Sequence, residues 1–260
     1  MNAPAEIRAL LDELIPRCVQ EGARAVVLTG SWARGEPHPY SDVDLILLGE
    51  GPEYRPIALH DRLVSMSWRT EAEVEAAFLH PWEVGTFVPG WRTARILHDP
   101  EGIARRIVAR AQNWSWDALG DAPDRWAAEE LAGLAEEGLK LTGALERQQP
   151  QAALIQRNLL ALRLPGILAV RRRMLYGTED RLPEQIAKAI GPEWEAPQDL
   201  ALGAVPVDWK ESCYAALRLY ALAAQELLPY SEPEQEKVIR LALRSVQNPS
   251  SSARSAKTAR

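Results

Sequence analysis

The chain is poor in the residues that would commit it to several common roles. Its 260 residues include only two cysteines, Cys18 and Cys213, far apart in sequence. A disulfide framework is therefore not expected, and buried thiols in a reducing compartment are. The four histidines, His38, His60, His80 and His98, are scattered and have no zinc-ligand spacing. Basic residues are outnumbered, 30 Lys and Arg against 36 Asp and Glu, and the net charge of -6 argues against bulk binding of nucleic acid. That balance still allows a local basic pocket for a phosphate-bearing ligand. No apolar run reaches the length of a membrane span, and MNAPAEIRALLDELI lacks the basic-then-apolar order of a signal peptide. A cytoplasmic protein without a membrane partner is the expectation. What is present, 47% apolar and 25% charged residues, is enough for a buried core and argues against wholesale disorder.

Two textures follow one another along the chain. Residues 5–20 carry Ile7, Leu10, Leu11, Leu14 and Ile15 at helical spacing, and Pro16 is expected to kink or end that helix. Short apolar runs then read as strands over 25–28, 43–48 and 62–68, with WRTARIL (91–97) as a further edge strand. Thr70 and Glu73 have the spacing of a capping box that opens a helix through about Leu79. Beyond residue 100 strand patterns stop. Helices are predicted near 101–112, 123–148, 151–176, 207–228 and 232–247, with a Pro- and Gly-rich loop over 191–206 and a kink or split at Pro165-Gly166. The predicted class is α+β: a small mixed β-sheet domain with flanking helices (1–100), then an all-α helical bundle (101–248) and a disordered Ser-rich tail (249–260).

The most informative stretch is GSWARGEPHPYSDVDL, Gly30 to Leu45. A Gly ending a strand permits a sharp turn and close approach to a ligand. Ser31 is placed to cap a helix at Trp32-Ala33-Arg34, whose free N–H groups, with Arg34, form a seat for an anion. Asp42 and Asp44 are two apart, so on a strand they project from the same face. Two carboxylates side by side repel unless a cation joins them, and Mg²⁺ takes one or two carboxylates plus phosphate oxygens. Ser41 serves equally well as a turn residue or as a ligand-orienting one.

This string resembles the signature of the polymerase-β-like nucleotidyltransferases, a GS turn followed by D-x-D. PYSD and its distance from GS are most similar to the kanamycin or aminoglycoside branch. The resemblance implies a nucleotidyltransferase-type sheet domain and transfer of a nucleoside monophosphate from an NTP (ATP or GTP) to the hydroxyl of a small molecule, such as an aminoglycoside-like antibiotic. It implies that Asp42 and Asp44 bind Mg²⁺, and that Gly30, Ser31 and Arg34, with Ser41, hold the nucleotide. A homodimer is implied as well.

Kanamycin-type enzymes also use a Glu and a Lys four residues on, in the helical domain. Here EEGLK supplies Glu136 as the base for the acceptor hydroxyl and Lys140 as a phosphate ligand. One position departs from the pattern. Ser65 stands where a third acid is often found, and Asp61 is the nearby acid that would have to replace it. That departure keeps open a catalytically degenerate nucleotide-binding regulatory module. A second alternative keeps the chemistry but changes the acceptor to a protein hydroxyl, as in protein-modifying (AMPylating) members of the antitoxin type, although the long helical portion argues against it.

Overall fold

The computed structural model describes residues 5–247, so the expected tail 249–260 lies outside the described residues. The chain divides into two compact units, Met1–Ala118 and Leu119–Arg260, so the helix at 103–113 is counted with the sheet unit. The fold is mixed α+β, a five-stranded sheet with flanking helices and a helical C-terminal region.

The first unit contains α1 (Arg8–Gln20), β1 (Ala25–Leu28), α2 (Gly30–Arg34), β2 (Val43–Leu48), β3 (Tyr54–Leu59), β4 (Arg62–Arg69), α3 (Glu71–Ala77), α4 (Val84–Thr93), β5 (Arg95–His98) and α5 (Ile103–Asn113). The sheet order is β3-β4-β2-β1-β5. Only β2 and β4 run parallel; β1 pairs antiparallel with β2 and β5, and β3 with β4. Such a mixed order arises because the chain leaves β2 for the sheet edge, lays down β3, and returns by a hairpin to insert β4 beside β2. The hairpin turn is His60-Asp61, both with positive φ (50° and 58°), the primed geometry that matches the twist of the strands.

Alternation along VDLILL then sorts the two faces of the sheet. Val43, Leu45 and Leu47 join Val26, Leu28, Val64, Met66 and Trp68 in a core with Leu10, Leu11, Leu14 and Ile15 of α1. Asp44 and Ile46 necessarily point the other way. Burying a side chain such as Leu45 contributes roughly 1.5–3 kcal/mol, so a one-residue slip of β2 that would turn the acids inward is strongly disfavoured.

Several local expectations give way to packing. The strand expected over 91–97 shortens to β5, because Val84, Val88 and Trp91 are buried at helical spacing and make residues 84–93 a helix. The edge strand β3 was not foreseen, since Pro56 sits inside it; an edge strand tolerates proline because one side of its ladder is unpaired. Pro16 lies within α1, which runs on to Gln20. The capping box is present as expected, with Thr70 and Glu73 bonding each other's backbone N–H.

The second unit is built from α6 (Ala122–Gly133), α7 (Ala135–Glu146), α8 (Pro150–Arg171), α9 (Leu182–Ile190), α10 (Pro192–Leu202), α11 (Trp209–Leu227) and α12 (Pro233–Gln247). The single helix expected over 123–148 is interrupted at Leu134, and the loop expected over 191–206 is mostly α10. Trp194, Pro197, Gln198 and Ala201 bury one face of α10 at helical spacing, and the Trp194 indole N–H donates to Gln198 Oε1 at 2.8 Å. Pro165-Gly166 does not split α8, whose buried run from Leu164 to Val170 holds it across the lost hydrogen bond. Among the described residues α8 is the one helix long and apolar enough by composition to cross a membrane, although Arg157 and Arg163 interrupt its apolar sequence. It is a core helix here: Leu160, Leu164 and Ile167 share a core with Leu141, Trp194 and Tyr220.

Candidate active site

The strand β1 ends at Leu28, and the chain turns at Thr29 into the short helix α2. Thr29, with extended backbone, occupies the cap position, and no side chain caps the helix; Ser31 lies one residue inside it, which corrects its expected role as the cap. Trp32 and Ala33 are buried and fasten α2 to the core, and the Arg62 guanidinium lies 5.0 Å from the Trp32 ring centre. Gly35 ends the helix in the left-handed conformation.

Gly30 is the pivot. Its φ is +65°, and a Cβ built on it would lie 1.9 Å from Asp44 Oδ2. The backbone of the turn and the second carboxylate thus occupy one tight space that only glycine leaves open. The register is fixed from the other side, because Thr29 N–H donates to the Asp44 carbonyl at 2.9 Å. The loop from Glu36 to Ser41 is held by a reciprocal turn. Ser41 N–H donates to the His38 carbonyl, and the Ser41 hydroxyl accepts from His38 N–H, each at 2.9 Å. That buried hydroxyl therefore has a turn role, whatever else it does.

Asp42 precedes β2 and Asp44 lies within it. Burial first, and then the charge of Asp42, push the Asp44 carboxyl up from 3.8 to about 6, while the Arg34 guanidinium pulls the other way. No described residue donates a hydrogen bond to the Asp44 carboxylate. Asp42 differs, because Ser65 in β4 donates its hydroxyl to Asp42 Oδ2 at 2.9 Å, and Tyr54 of β3 lies 3.2 Å from the same Ser65 oxygen. Ser65 is the parallel-strand neighbour of Asp44, so a hydroxyl stands beside the pair at the position where the family resemblance implies a third acid. Asp61 does not substitute: it sits exposed in the hairpin turn. No group of three His, Cys, Asp or Glu that could hold a metal ion occurs among the described residues.

A divalent cation nevertheless fits the donor set. Two same-face carboxylates, one without a hydrogen-bond donor and partly withdrawn from water, suit Mg²⁺, which keeps several waters and takes phosphate oxygens for its remaining positions. Tyr54 is the site neighbour that sequence reasoning missed. Its only signal was YRPIAL, which Pro56 disguised.

Glu136 and Lys140 belong to the second unit. They lie on one face of α7 and form an exposed ion pair with each other at 2.6 Å. Hydrogen bonding to Glu136 is the main cause that holds the Lys140 ammonium above its usual range.

Residues 11–95 match the family model of the nucleotidyltransferase domain. That match covers the turn, both aspartates, Ser65 and Tyr54, and it supports nucleotidyl transfer as the general chemistry and a transferase as the class. The chain is also similar to a crystal structure of a nucleotidyltransferase-like protein from Exiguobacterium sibiricum 255-15. The identity is 12% over 92% of this chain and 79% of that one, with a TM-score of 0.52, a likeness of fold. No curated protein sequence matches the chain.

Proposed function

We propose that the protein is a Mg²⁺-dependent nucleotidyltransferase that moves a nucleoside monophosphate from an NTP to the hydroxyl of a small polar acceptor, an aminoglycoside-like antibiotic being the class favoured. The observation that carries this reading is the packing of the Gly30 turn against Asp44, with Asp42 beside it on the same face. Bound Mg²⁺ would polarise the α-phosphate and help neutralise the charge on the departing pyrophosphate. Asp42 and Asp44 would hold that ion. The Gly30 and Ser31 backbone and the Arg34 guanidinium would hold the triphosphate, with Ser41 keeping the intervening loop in place and Lys140 as a further phosphate ligand. The acceptor oxygen bonds to the α-phosphorus, the bond from that phosphorus to the bridging oxygen breaks, and pyrophosphate leaves. Glu136 takes the hydroxyl proton. A cytoplasmic homodimer using ATP or GTP completes the proposal.

The test is incubation of the purified chain with Mg²⁺, each α-labelled NTP in turn, and a panel of aminoglycosides and other polyhydroxylated amines. Label should appear on one acceptor class, with pyrophosphate released in equal amount. A second reading, nucleotide binding without turnover, is favoured by one feature: among the described residues only two acids meet at the site, and Ser65 supplies a hydroxyl where a third would stand. NTP binding with no transfer to any acceptor would favour it, and labelling of a protein would favour an AMPylating enzyme.

A further inference from the structure

We infer that Tyr54 and Ser65 are positioning residues that hold Asp42 for a single divalent cation, in place of a third carboxylate and a second ion. The inference rests on the metal role proposed above for Asp42 and Asp44.

Its basis is a directed chain of hydroxyls. Ser65 has one hydroxyl hydrogen, and it points to Asp42 Oδ2 at 2.9 Å. The contact between Tyr54 and Ser65 at 3.2 Å can then run only one way, with the phenol donating to the serine oxygen. The order is Tyr54 in β3 to Ser65 in β4 to Asp42 just before β2, three neighbouring strands of the sheet. Register fixes the two hydroxyls: Ser65 lies opposite Asp44 in β2 and opposite Pro56 in β3, while Tyr54 lies opposite Ser67. Tyr54, Ser65 and Ser67 therefore share the face that carries Asp44. Ser65 is buried and Tyr54 is exposed, so the chain runs from the surface of an edge strand into the site.

Two consequences follow for metal binding. A carboxylate held by a neighbour's donated hydrogen bond keeps its orientation without a bound ion, which is the common role of groups behind a metal ligand. Two-ion sites place their ions about 3.5–4 Å apart and need a clamp of donors able to reach both. Here Asp42 Oδ2 is engaged by Ser65, and no third acid stands near the pair among the described residues. The remaining oxygens of Asp42 and Asp44 suffice for one ion completed by water and phosphate.

The experiment is titration of the full chain with Mn²⁺ alone, followed by EPR, with thermal melting of each variant as a check on folding. The expected result is one Mn²⁺ per chain, abolished by Asp42→Asn. Ser65→Ala should weaken that binding by about tenfold, the scale for loss of a group supporting a ligand. Ser65→Thr, which keeps the hydroxyl, should restore it, and Tyr54→Phe should weaken it less than Ser65→Ala. Ser65→Asp should raise the count to two. Two Asp42-dependent ions in the unmodified chain, or unchanged affinity in both Ser65→Ala and Tyr54→Phe, overturns the inference alone. Absence of any Mn²⁺ binding that Asp42→Asn removes overturns the metal role of the aspartates, and this inference with it.

Discussion

Two groups of acids, one in each unit, are treated in opposite ways. In the helical unit Asp124, Glu226 and Glu130 are matched, whereas the buried Oε2 of Glu137 is not. Asp124 of α6 receives both nitrogens of Arg173 at 2.9 Å and lies 3.3 Å from Arg171, while Arg172 is paired with Glu226 at 2.8 Å. The Arg171-Arg172-Arg173 run, which in sequence looks like a solvated basic face, is spent on holding α8 to α6 and α11. Arg163 and Glu130 repeat the pattern at 2.6 Å. In the sheet unit the reverse holds at one place. Asp42 and Asp44 share a face with no described cation bonded to either, and a glycine keeps the turn pressed against Asp44. A paired acid is a structural element whose value is stability. An acid pair left uncompensated costs stability, and a fold keeps such a cost where a ligand meets it.

That contrast can be broken from either side. The largest effect should come from Asp42→Asn or Asp44→Asn. Each should lower nucleotidyl transfer, measured by pyrophosphate release, by more than about a hundredfold while leaving the melting temperature equal to or above that of the parent. Asp124→Ala should do the opposite in the helical unit. Leaving Arg171 and Arg173 partly buried without their acid should cost about 3 kcal/mol in denaturant unfolding. Gly30→Ala should hurt both properties. The left-handed backbone costs about 1–2 kcal/mol for a residue with a Cβ, and the methyl group must displace the Asp44 carboxylate, so transfer should fall with stability.

A smaller effect concerns pH. Because the Asp44 carboxyl is raised from 3.8 to about 6 in the folded chain, the folded state holds its proton more firmly than the unfolded state between those values. Stability of the metal-free protein should therefore decline as pH rises from about 4 to about 6, and stay at the lower level above it. Asp44→Asn should remove that decline, and divalent cation should reverse part of it above pH 6. Equal slopes in parent and Asp44→Asn would falsify the assignment. Smallest of all, Glu136→Gln should leave the melting temperature unchanged, since its ion pair with Lys140 is exposed on α7. A fall in transfer without a change in stability would mark Glu136 as the base, and unchanged transfer would remove it from that role.

Much of this site was legible in one dimension because its parts are close in sequence. Gly30, Asp42 and Asp44 lie within one turn, one loop and one strand, and period two alone puts the acids on one face once Val43 and Leu45 are buried. The capping box at Thr70 was equally local. Legibility failed where a distant partner set the outcome. Residues 84–93 and 192–202 are helices because buried faces override the breakers within or beside them, and β3 exists because β4 offers it an edge to pair with.

The sequence by itself determined the α+β class, the turn-and-aspartate device and the absence of an acid at position 65, since each depends on short-range spacing and residue type. Only the tertiary structure decided that Ser65 donates to Asp42, that Tyr54 stands behind it, and that a Cβ on Gly30 has no room beside Asp44. Those facts depend on strand order and register. The sheet order β3-β4-β2 joins residues up to 23 positions apart in a single hydrogen-bonded chain, and no local pattern encodes which edge a returning strand will take.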